Sequence, residues 1–160
     1  MALPGSLISE LIEGLIDRGL QEQPAGVDLT VRKIFTFINA GVFRFEDKEL
    51  SRTEEVPPEG GKWKLPQGAY KIRFNEVVKI PEDALGLCLP RSSLLRSGVD
   101  IRCAVWDPGY YGRGEALLAV LNPNGVEIGV DARVAQLILV RLAGRPKKLY
   151  RGGYWGENID

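Results

Sequence analysis

Hydrophobic residues near the amino terminus recur at the spacing of an amphipathic helix. They stand three and four positions apart, at Leu7, Ile8, Leu11, Ile12, Leu15 and Ile16. Acidic residues occupy the opposite side of the same stretch, which is typical of a helix that packs on a core by one face. Ser6 stands where an N-cap is expected, and Gly19 where the residue after a helix end is expected. The pattern therefore predicts an N-terminal helix within residues 1–20.

After Gly19 the chain changes to short apolar runs separated by glycine, proline and asparagine. The predicted strands are 27–31, 33–38, 42–45, 69–74, 77–80, 85–89, 101–105, 116–121 and 134–142. Residues 122–125 (Asn-Pro-Asn-Gly) are typical of a hairpin turn, 92–97 of one short helical turn, and the polar stretch 46–63 of an exposed loop. Many short strands with frequent turns favour a β-sandwich, jelly roll or barrel. We expect one mainly β domain over residues 1–160, with an N-terminal helix and a short internal helix.

The charge balance limits the class of partner. The chain has 160 residues, with 21 Lys and Arg against 21 Asp and Glu, and a formal net charge of +0. Proteins that bind nucleic acid through a broad basic surface carry a positive excess, so we expect no nucleic-acid partner. A small pocket lined by arginine for a phosphorylated ligand is compatible with this balance.

The absence of histidine and the cysteine spacing limit the chemistry further. Without histidine, Ser-His-Asp and Cys-His nucleophiles and histidine metal sites are excluded. Cys88 and Cys103 form no CxxC motif, and we expect free thiols, with one disulfide as the alternative. No stretch resembles a signal peptide or a membrane span, so we expect no membrane partner and a cytoplasmic protein.

One segment places a carboxylate, a tight turn and an aromatic ring close together. Residues 104–112 read Ala-Val-Trp-Asp-Pro-Gly-Tyr-Tyr-Gly. Pro108 and Gly109 suit the centre of a type II turn, and the apolar residues on both sides indicate a hairpin. Asp107 enters the turn and Tyr110 leaves it, so both side chains can face one pocket suited to activating water near a sugar or base. The alternative is that Asp107 only caps the turn and Tyr110 only packs.

A second segment supplies groups suited to phosphate. Residues 90–98 read Pro-Arg-Ser-Ser-Leu-Leu-Arg-Ser-Gly and follow an apolar strand. The hydroxyls of Ser92 and Ser93, the guanidinium groups of Arg91 and Arg96, and the backbone N–H groups of a helix start can together cradle a phosphate. The alternative is an ordinary helix start with solvated arginines.

Two other positions call for partners. Gln136 interrupts the apolar run 134–140, and a buried unsatisfied amide costs about 1–3 kcal/mol, so its side chain must contact neighbouring backbone or a ligand. Arg133, shortly before it, can reach Asp28. The end of the chain, 149–157, mixes aromatic residues, glycines and one arginine, which favours a mobile tail over 149–160 that closes on a ligand. The alternative is a terminal segment packed on a neighbouring subunit.

Taken together, these segments resemble the superfamily of dUTPases and dCTP deaminases, which carries five short motifs in a fixed order. The corresponding stretches are 23–29 (Gln-Pro-Ala-Gly-Val-Asp-Leu), 90–94 (Pro-Arg-Ser-Ser-Leu), 107–112 (Asp-Pro-Gly-Tyr-Tyr-Gly), 133–136 (Arg-Val-Ala-Gln) and 151–156 (Arg-Gly-Gly-Tyr-Trp-Gly). Each motif alone is weakly specific, but five in the correct order are a strong signal. The resemblance implies a distorted jelly-roll-like β-barrel, assembled as a homotrimer with active sites between subunits, a deoxynucleoside triphosphate substrate, and Mg²⁺ bound through the triphosphate and water.

The resemblance also implies roles for individual residues. Asp107 would be the general base that positions the attacking water, and Tyr110 would pack against the deoxyribose and disfavour a ribose 2′-hydroxyl. The strand from Cys103 to Val105 would read the base through its backbone. Asp28 would lie near the phosphates or metal-bound waters, or pair with Arg133. The other substrate-binding positions would be Arg91, Ser92, Ser93, Arg96 and Gln136 for the phosphates, and Tyr150, Arg151 and Tyr154 on the closing tail.

The superfamily contains two chemistries, and one position separates them. Deaminases carry a glutamate on the strand after the third motif, but Leu117 stands there, or Ala119 if two residues were inserted. Glu115 is offset and is expected at the exposed start of the strand. Deamination without a carboxylate at the base lacks a proton shuttle, so hydrolysis of dUTP to dUMP and pyrophosphate is favoured.

Three alternatives remain, and two motifs depart from the family pattern. The chain can be a dCTP deaminase, alone or bifunctional, with Glu115 in the catalytic role, or a deoxynucleotide-binding trimer without catalysis. The third alternative is a structural β-protein whose motif matches are accidental. The fourth motif begins Asp-Ala-Arg at 131–133 instead of Gly-acid-Arg. The fifth has Tyr154, Trp155 and Glu157 where Phe and then Ser or Thr are usual, which puts hydroxyl contacts to the terminal phosphate in doubt.

Overall fold

The computed structural model describes residues 1–159, and nearly all of the regular structure is antiparallel β. Three short helices are present: α1 (Gly5–Ser9), α2 (Arg18–Gln21) and α3 (Ser92–Leu95). The strands are β1 (Ile12–Glu13), β2 (Glu22–Gln23), β3 (Gly26–Phe37), β4 (Val42–Phe43), β5 (Lys48–Glu49), β6 (Thr53–Val56), β7 (Lys62–Leu65), β8 (Gly68–Phe74), β9 (Val77–Lys79), β10 (Ala84–Pro90), β11 (Val99–Arg102), β12 (Tyr111–Gly112), β13 (Glu115–Val120), β14 (Val126–Gly129) and β15 (Arg133–Arg141).

The main sheet curls into a nearly closed barrel. Its strand order is β10-β15-β3-β8-β13-β11, with β2 and β6 also paired to β3. Trp106, just beyond the edge strand β11, pairs with Gly86 of the opposite edge strand β10. Side chains alternate between the inside and outside of such a sheet, and on β13 Ala116, Leu118 and Val120 are the buried ones. The predicted mainly β barrel is therefore confirmed.

The long strand β3 replaces the two separate strands predicted at 27–31 and 33–38. Its first half pairs with β15, and its second half with β6 and β8. The register against β8 shifts between Val31 and Lys33, which marks a bulge at the junction. A bulge bends a strand without ending it, so one strand can serve both parts of the curled sheet.

The predicted N-terminal helix is wrong in its length. The helix α1 ends at Ser9, and Ile12 then pairs with Val78 in an extended conformation. Gly14 has φ +78°, a value that favours glycine and that a helix cannot accommodate. Ser6 is not an N-cap, because it lies inside α1, whose N-cap is Pro4. The chain resumes helical geometry only in α2, where Asp17 is the N-cap and its carboxylate accepts a hydrogen bond from Leu20 N at 3.0 Å. Gly19 lies inside α2 and does not follow a helix end.

Two further local predictions need correction, and two are confirmed. The turn at 122–125 forms, with Gly125 N donating to Asn122 O at 2.9 Å. It is not a hairpin, because β13 pairs with β11 and β8 while β14 pairs with β7. The predicted loop 46–63 contains β5, β6 and the start of β7. The short internal helix is present as α3. No helix within residues 1–159 is both long enough and apolar enough to span a bilayer.

A buried carboxylate ties the N-terminal segment to the barrel. Glu76 is completely buried and accepts hydrogen bonds from Thr30 N at 2.9 Å, from Thr30 Oγ1 at 2.6 Å and from Gln21 Nε2 at 2.7 Å. Gln21 Nε2 also donates to Asp28 O at 2.9 Å, inside the first motif. Burial raises the pKa of the Glu76 carboxyl, and these hydrogen bonds oppose the rise.

We expect Glu76→Gln to destabilise the fold by about 1–3 kcal/mol at acidic pH, because its amide nitrogen would face a hydrogen-bond donor. Folding raises the Glu76 pKa above its unfolded value. The stability this group contributes is therefore complete below the unfolded pKa and lost as the pH rises through the folded pKa. The difference in unfolding free energy between wild type and variant should shrink toward neutral pH. Urea denaturation across the acidic to neutral range measures it, with the exposed Glu54→Gln as the control, and a difference that grows with pH would contradict the assignment.

Candidate active site

A cleft of about 1030 Å³ opens beside the segment that follows β11. Its lining includes Ala104, Val105, Trp106, Asp107 and Tyr110 of that segment, and Lys71 and Glu115 of the strands β8 and β13. Two peripheral segments complete it. The hairpin arm (residues 38–52, containing β4 and β5) contributes Phe43, Lys48, Leu50 and Ser51, and the tail (residues 149–159) contributes Tyr150, Gly152, Gly153, Tyr154 and Glu157.

The turn predicted at 107–110 is present and brings Asp107 and Tyr110 into this cleft. Tyr110 N donates to Asp107 O at 3.0 Å, and Gly109 has φ +84°, as a type II turn requires. The predicted hairpin around it does not form, because Trp106 pairs with Gly86 and Tyr111 with Lys79. Asp107 is exposed in the cleft. The turn thus presents a solvated carboxylate next to a fixed aromatic ring.

Tyr110 is held rigidly from several sides. It is 7% exposed, and its ring centroid lies 5.3 Å from that of Trp106 and 6.0 Å from that of Tyr150. Its hydroxyl donates to Glu157 Oε1 at 2.8 Å. Burial, followed by the negative charge and hydrogen bond of Glu157, raises the pKa of Tyr110 far above its usual value, so the phenol stays protonated.

The segment 103–105 differs from its prediction as a strand. The ladder between β11 and β13 ends at the pair Arg102 and Leu117, so Cys103, Ala104 and Val105 lie beyond it. Within residues 1–159, the backbone groups of these three residues donate and accept no hydrogen bond. Val105 is 54% exposed and lines the cleft. Peptide groups without partners at a cleft are available to a ligand. Cys88 and Cys103 are both free thiols, as predicted.

Glu115 begins β13, as the sequence predicted, but it is not exposed there. Its side chain is 22% exposed, lines the cleft and forms ion pairs with Lys71 at 3.0 Å and Arg73 at 2.8 Å. Leu117 and Ala119 share its face of β13, because side chains alternate along a strand. Both residues predicted to stand at the deaminase glutamate position, Leu117 and Ala119, therefore lie on the same face as Glu115.

A second cluster gathers residues from the first, second and fourth motifs. Asp28 is 2% exposed, and its Oδ2 lies 3.0 Å from Arg91 Nε and 3.4 Å from Arg133 Nη1. The predicted contact between Arg133 and Asp28 is confirmed. Burial raises the pKa of the Asp28 carboxyl, and the two arginines oppose the rise. Ser92 and Ser93 are exposed in the first turn of α3, immediately after Arg91. The name arginine cluster is used below for five residues: Asp28, Arg91, Ser92, Ser93 and Arg133.

The packing of Gln136 explains the glycine of the first motif. Gln136 is half-buried on β15, opposite Asp28 on one side and Leu89 on the other. A Cβ placed on Gly26 would lie 2.6 Å from Leu137 O and 2.8 Å from Gln136 Cγ. Only glycine fits there, so the first and fourth motifs depend on each other through close packing.

Arg96, the other arginine predicted to bind phosphate, is exposed at the opposite end of α3 from Ser92.

The tail lies against the turn at 107–110. Tyr150 N donates to Pro108 O at 2.8 Å, while Arg151 Nη1 and Trp155 Nε1 both donate to Gly109 O, at 3.1 and 3.2 Å. The Arg151 guanidinium also lies 5.0 Å from the Trp155 ring centroid. Arg151 therefore sits next to the turn that carries Asp107, although it does not line the cleft of its own chain.

Three charged contributors to the cleft were missed by sequence reasoning. Lys71 has no motif around it, and Lys48, in a stretch predicted to be a loop, lies 5.2 Å from the Tyr154 ring centroid. Glu157 was noted only as a departure from the fifth motif. No local pattern marks these residues, because their positions at the cleft depend on strand pairing and tail docking.

Comparison with known proteins identifies the family. A family model described as dCTP deaminase-like matches residues 3–142. The chain belongs to the dCTP deaminase-like family. The resemblance inferred from the five motifs is thereby confirmed. A probable deoxyuridine 5′-triphosphate nucleotidohydrolase from Aeropyrum pernix is 49% identical over 137 residues, 86% of this chain and 86% of that protein.

One further relative and one solved structure extend the comparison. The deoxyuridine 5′-triphosphate nucleotidohydrolase of Methanocaldococcus jannaschii is 40% identical over 141 residues, 86% of this chain and 88% of that protein. Among solved structures, the 2′-deoxycytidine 5′-triphosphate deaminase from Agrobacterium tumefaciens superposes with a TM-score of 0.66 at 17% identity, over 86% of this chain and 47% of that chain. At that identity the superposition establishes the shared fold alone.

Proposed function

We propose that this protein hydrolyses dUTP to dUMP and pyrophosphate, with a water activated by Asp107 attacking the α-phosphorus. The observation that carries the proposal is the similarity to the deoxyuridine 5′-triphosphate nucleotidohydrolases, at 49% and 40% identity over most of each chain. The cleft supports it, because the Asp107 carboxylate, the Tyr110 ring and the unpaired peptide groups of the segment before Trp106 lie together there. Leu117 at the deaminase glutamate position disfavours base chemistry.

The base and the sugar are assigned to the segment around the turn. Uracil presents a donor flanked by two acceptors, which suits recognition by the free peptide groups of Cys103, Ala104 and Val105. Tyr110 would pack against the deoxyribose. Its ring packs between Trp106 and Tyr150, so it would stand against the sugar where a 2′-hydroxyl would project. Selectivity for deoxyribose would then be steric.

Asp107 would act on water. Its exposed carboxylate can accept a proton from a water held in line with the leaving pyrophosphate, which makes it a general base. The water's oxygen bonds to the α-phosphorus as the bond to the bridging oxygen of the pyrophosphate breaks. Most of the acceleration would come from positioning and from stabilising charge on the phosphates.

The phosphates are assigned to the arginine cluster of a second subunit. Arg91, Ser92, Ser93 and Gln136 do not line the cleft that holds Asp107, so one chain's cleft lacks these phosphate-binding groups. A homotrimer with active sites between subunits would bring the arginine cluster of one subunit to the cleft of its neighbour. Asp28 would act through Arg91 and Arg133, which it holds by ion pairs. Arg96, Tyr150, Arg151 and Tyr154 would complete the substrate contacts.

A divalent ion fits this site only as part of the substrate. Among residues 1–159 no three His, Cys, Asp or Glu side chains are grouped so as to hold a metal ion, and Glu115 and Glu157 are engaged by other side chains. Mg²⁺ on the triphosphate would neutralise charge and fix its geometry, and it would meet the protein through water, with Asp28 in its outer surroundings. The free thiols of Cys88 and Cys103 agree with a reducing, cytoplasmic compartment.

The second candidate is deamination of dCTP, alone or beside hydrolysis. Glu115 favours it, because this carboxylate lines the cleft. Its ion pairs weigh against a proton-shuttle role, since each of its two carboxylate oxygens already contacts a cation, Lys71 or Arg73.

A paired product assay separates the candidates. Purified protein with Mg²⁺ is offered dUTP and dCTP separately, and pyrophosphate and ammonia are followed. We expect pyrophosphate from dUTP, its loss on chelation of the metal, and no ammonia from dCTP. Ammonia from dCTP would support the deaminase and direct attention to Glu115. Tight dUTP binding without any product would indicate a nucleotide-binding protein without catalysis.

A further inference from the structure

The tail places the Glu157 carboxylate next to the hydroxyl of Tyr110, the residue proposed to pack against the deoxyribose. Tyr110 Oη donates to Glu157 Oε1 at 2.8 Å, and Glu157 is half-buried at this point of the cleft. Tyr110 itself belongs to the third motif, whereas Glu157 directly follows the fifth motif (151–156), in the region where Ser or Thr is usual. The contact therefore joins the third motif to the end of the fifth.

Backbone contacts bring Glu157 to this position independently of its side chain. Gly156 N donates to Tyr111 O at 2.7 Å, and Arg113 N donates to Glu157 O at 3.0 Å. Asn158 Nδ2 donates to Arg113 O at 3.0 Å, and Arg113 Nε donates to Asn158 O at 3.0 Å. The end of the tail is thus held beside β12 even without the carboxylate. This separates docking of the tail from what the Glu157 side chain does.

The space around the Tyr110 hydroxyl is shaped for this contact. A Cβ on Gly112 would lie 2.9 Å from Tyr110 Oη and 3.2 Å from Glu157 N. Contacts at those distances would push the ring or the tail away. Trp106 and Tyr150 pack against the Tyr110 ring, with centroids 5.3 and 6.0 Å away, but contacts between rings leave the in-plane position of the hydroxyl end undetermined. The hydrogen bond to Glu157 is the contact that fixes it.

We propose that Glu157 is a positioning residue for sugar selectivity, which fixes the Tyr110 ring so that a ribose 2′-hydroxyl is excluded. This inference rests on the proposed function. Steric exclusion of one hydroxyl requires that the Tyr110 ring does not shift, even by a fraction of an ångström. A ring free to pivot at its hydroxyl end would still support dUTP and would admit UTP.

The expected result concerns a ratio of activities. In Glu157→Ala, kcat/KM for dUTP relative to UTP should fall about tenfold, the equivalent of one lost hydrogen bond of about 1.4 kcal/mol. Tyr110→Phe removes the donor and keeps the ring, so it should lower the same ratio, and the double variant should lower it no further. Glu157→Gln retains an acceptor oxygen and should restore most of the ratio.

Asn158→Ala is the matched control, because it weakens tail docking without touching Tyr110. It should change kcat/KM for dUTP and UTP by the same factor. A Glu157→Ala variant that also changes both by the same factor, or a Glu157→Gln variant that fails to restore selectivity, would overturn the proposal. Wild-type turnover of dUTP reports separately on the proposed function. If turnover is absent, the ratio of affinities for non-hydrolysable dUTP and UTP analogues gives the same test of Glu157.

Discussion

The Asp107→Asn variant should bind dUTP almost as well as wild type and lose nearly all turnover. We expect kcat to fall by about 10²–10⁴-fold, the usual contribution of a general base. Asparagine has the same shape, and the turn depends on the backbone of this residue, since Tyr110 N donates to Asp107 O at 3.0 Å. The turn should therefore survive, while an amide cannot take a proton from water. A loss in kcat without a loss in affinity is the signature of an interaction used only during reaction.

Steady-state pyrophosphate release and calorimetric binding of a non-hydrolysable dUTP analogue measure the two quantities separately. Asp83→Asn is a suitable control, because Asp83 is 49% exposed, pairs with Arg141 and does not line the cleft. It should leave both quantities unchanged. Near-normal turnover in Asp107→Asn would remove Asp107 from the mechanism.

The same variant tests whether the site spans two subunits. Arg91→Ala should also be inactive, since it removes a group proposed to bind phosphate and leaves Asp28 with one arginine. If the two variants are unfolded, mixed and refolded together, some interfaces combine an intact Asp107 with an intact Arg91. Activity in the mixture above that of either variant alone is expected for a site between subunits. A mixture with no regained activity would place Asp107 and Arg91 in the site of a single chain.

The Arg151→Ala variant should show the next largest loss, about 10²–10³-fold in kcat, as for removal of one group that stabilises charge in the transition state. Arg151 is exposed beside the turn that carries Asp107, held by Gly109 O at 3.1 Å and by the face of Trp155. A solvated guanidinium beside the proposed active site contributes little to the resting fold. The Arg151→Ala substitution should therefore lower the turnover rate and leave the stability of the fold nearly unchanged.

Single-turnover hydrolysis of dUTP and thermal unfolding together distinguish these effects. Arg145→Ala, an exposed arginine in the segment just before the tail, is the matched control for loss of positive charge and should leave both unchanged. An unchanged hydrolysis rate in Arg151→Ala would show that the tail is dispensable. A large drop in melting temperature would instead show that Arg151 serves the docking of the tail.

Local chemistry determined the features that the sequence revealed correctly. The turns at 107–110 and 122–125 form because proline and glycine restrict or permit the required backbone angles within four residues. The short helix α3 and most strands also follow from patterns a few residues long. The five motifs identified the family because their residue types and order need no knowledge of distances. The contact between Arg133 and Asp28 joins two of those motifs.

Long-range pairing decided the rest. Apolar residues at 7–16 are compatible with one helix, but pairing of Ile12 with Val78 and the backbone of Gly14 divide it, and Leu7 and Ile16 remain exposed. Which strands follow each turn, and therefore that neither turn is a hairpin, depends on partners far along the chain. Lys71, Glu115 and Glu157 reach Asp107 and Tyr110 only through closure of the barrel and docking of the tail. Such contacts depend on packing between segments that are distant in the sequence, and a local sequence pattern does not predict that packing.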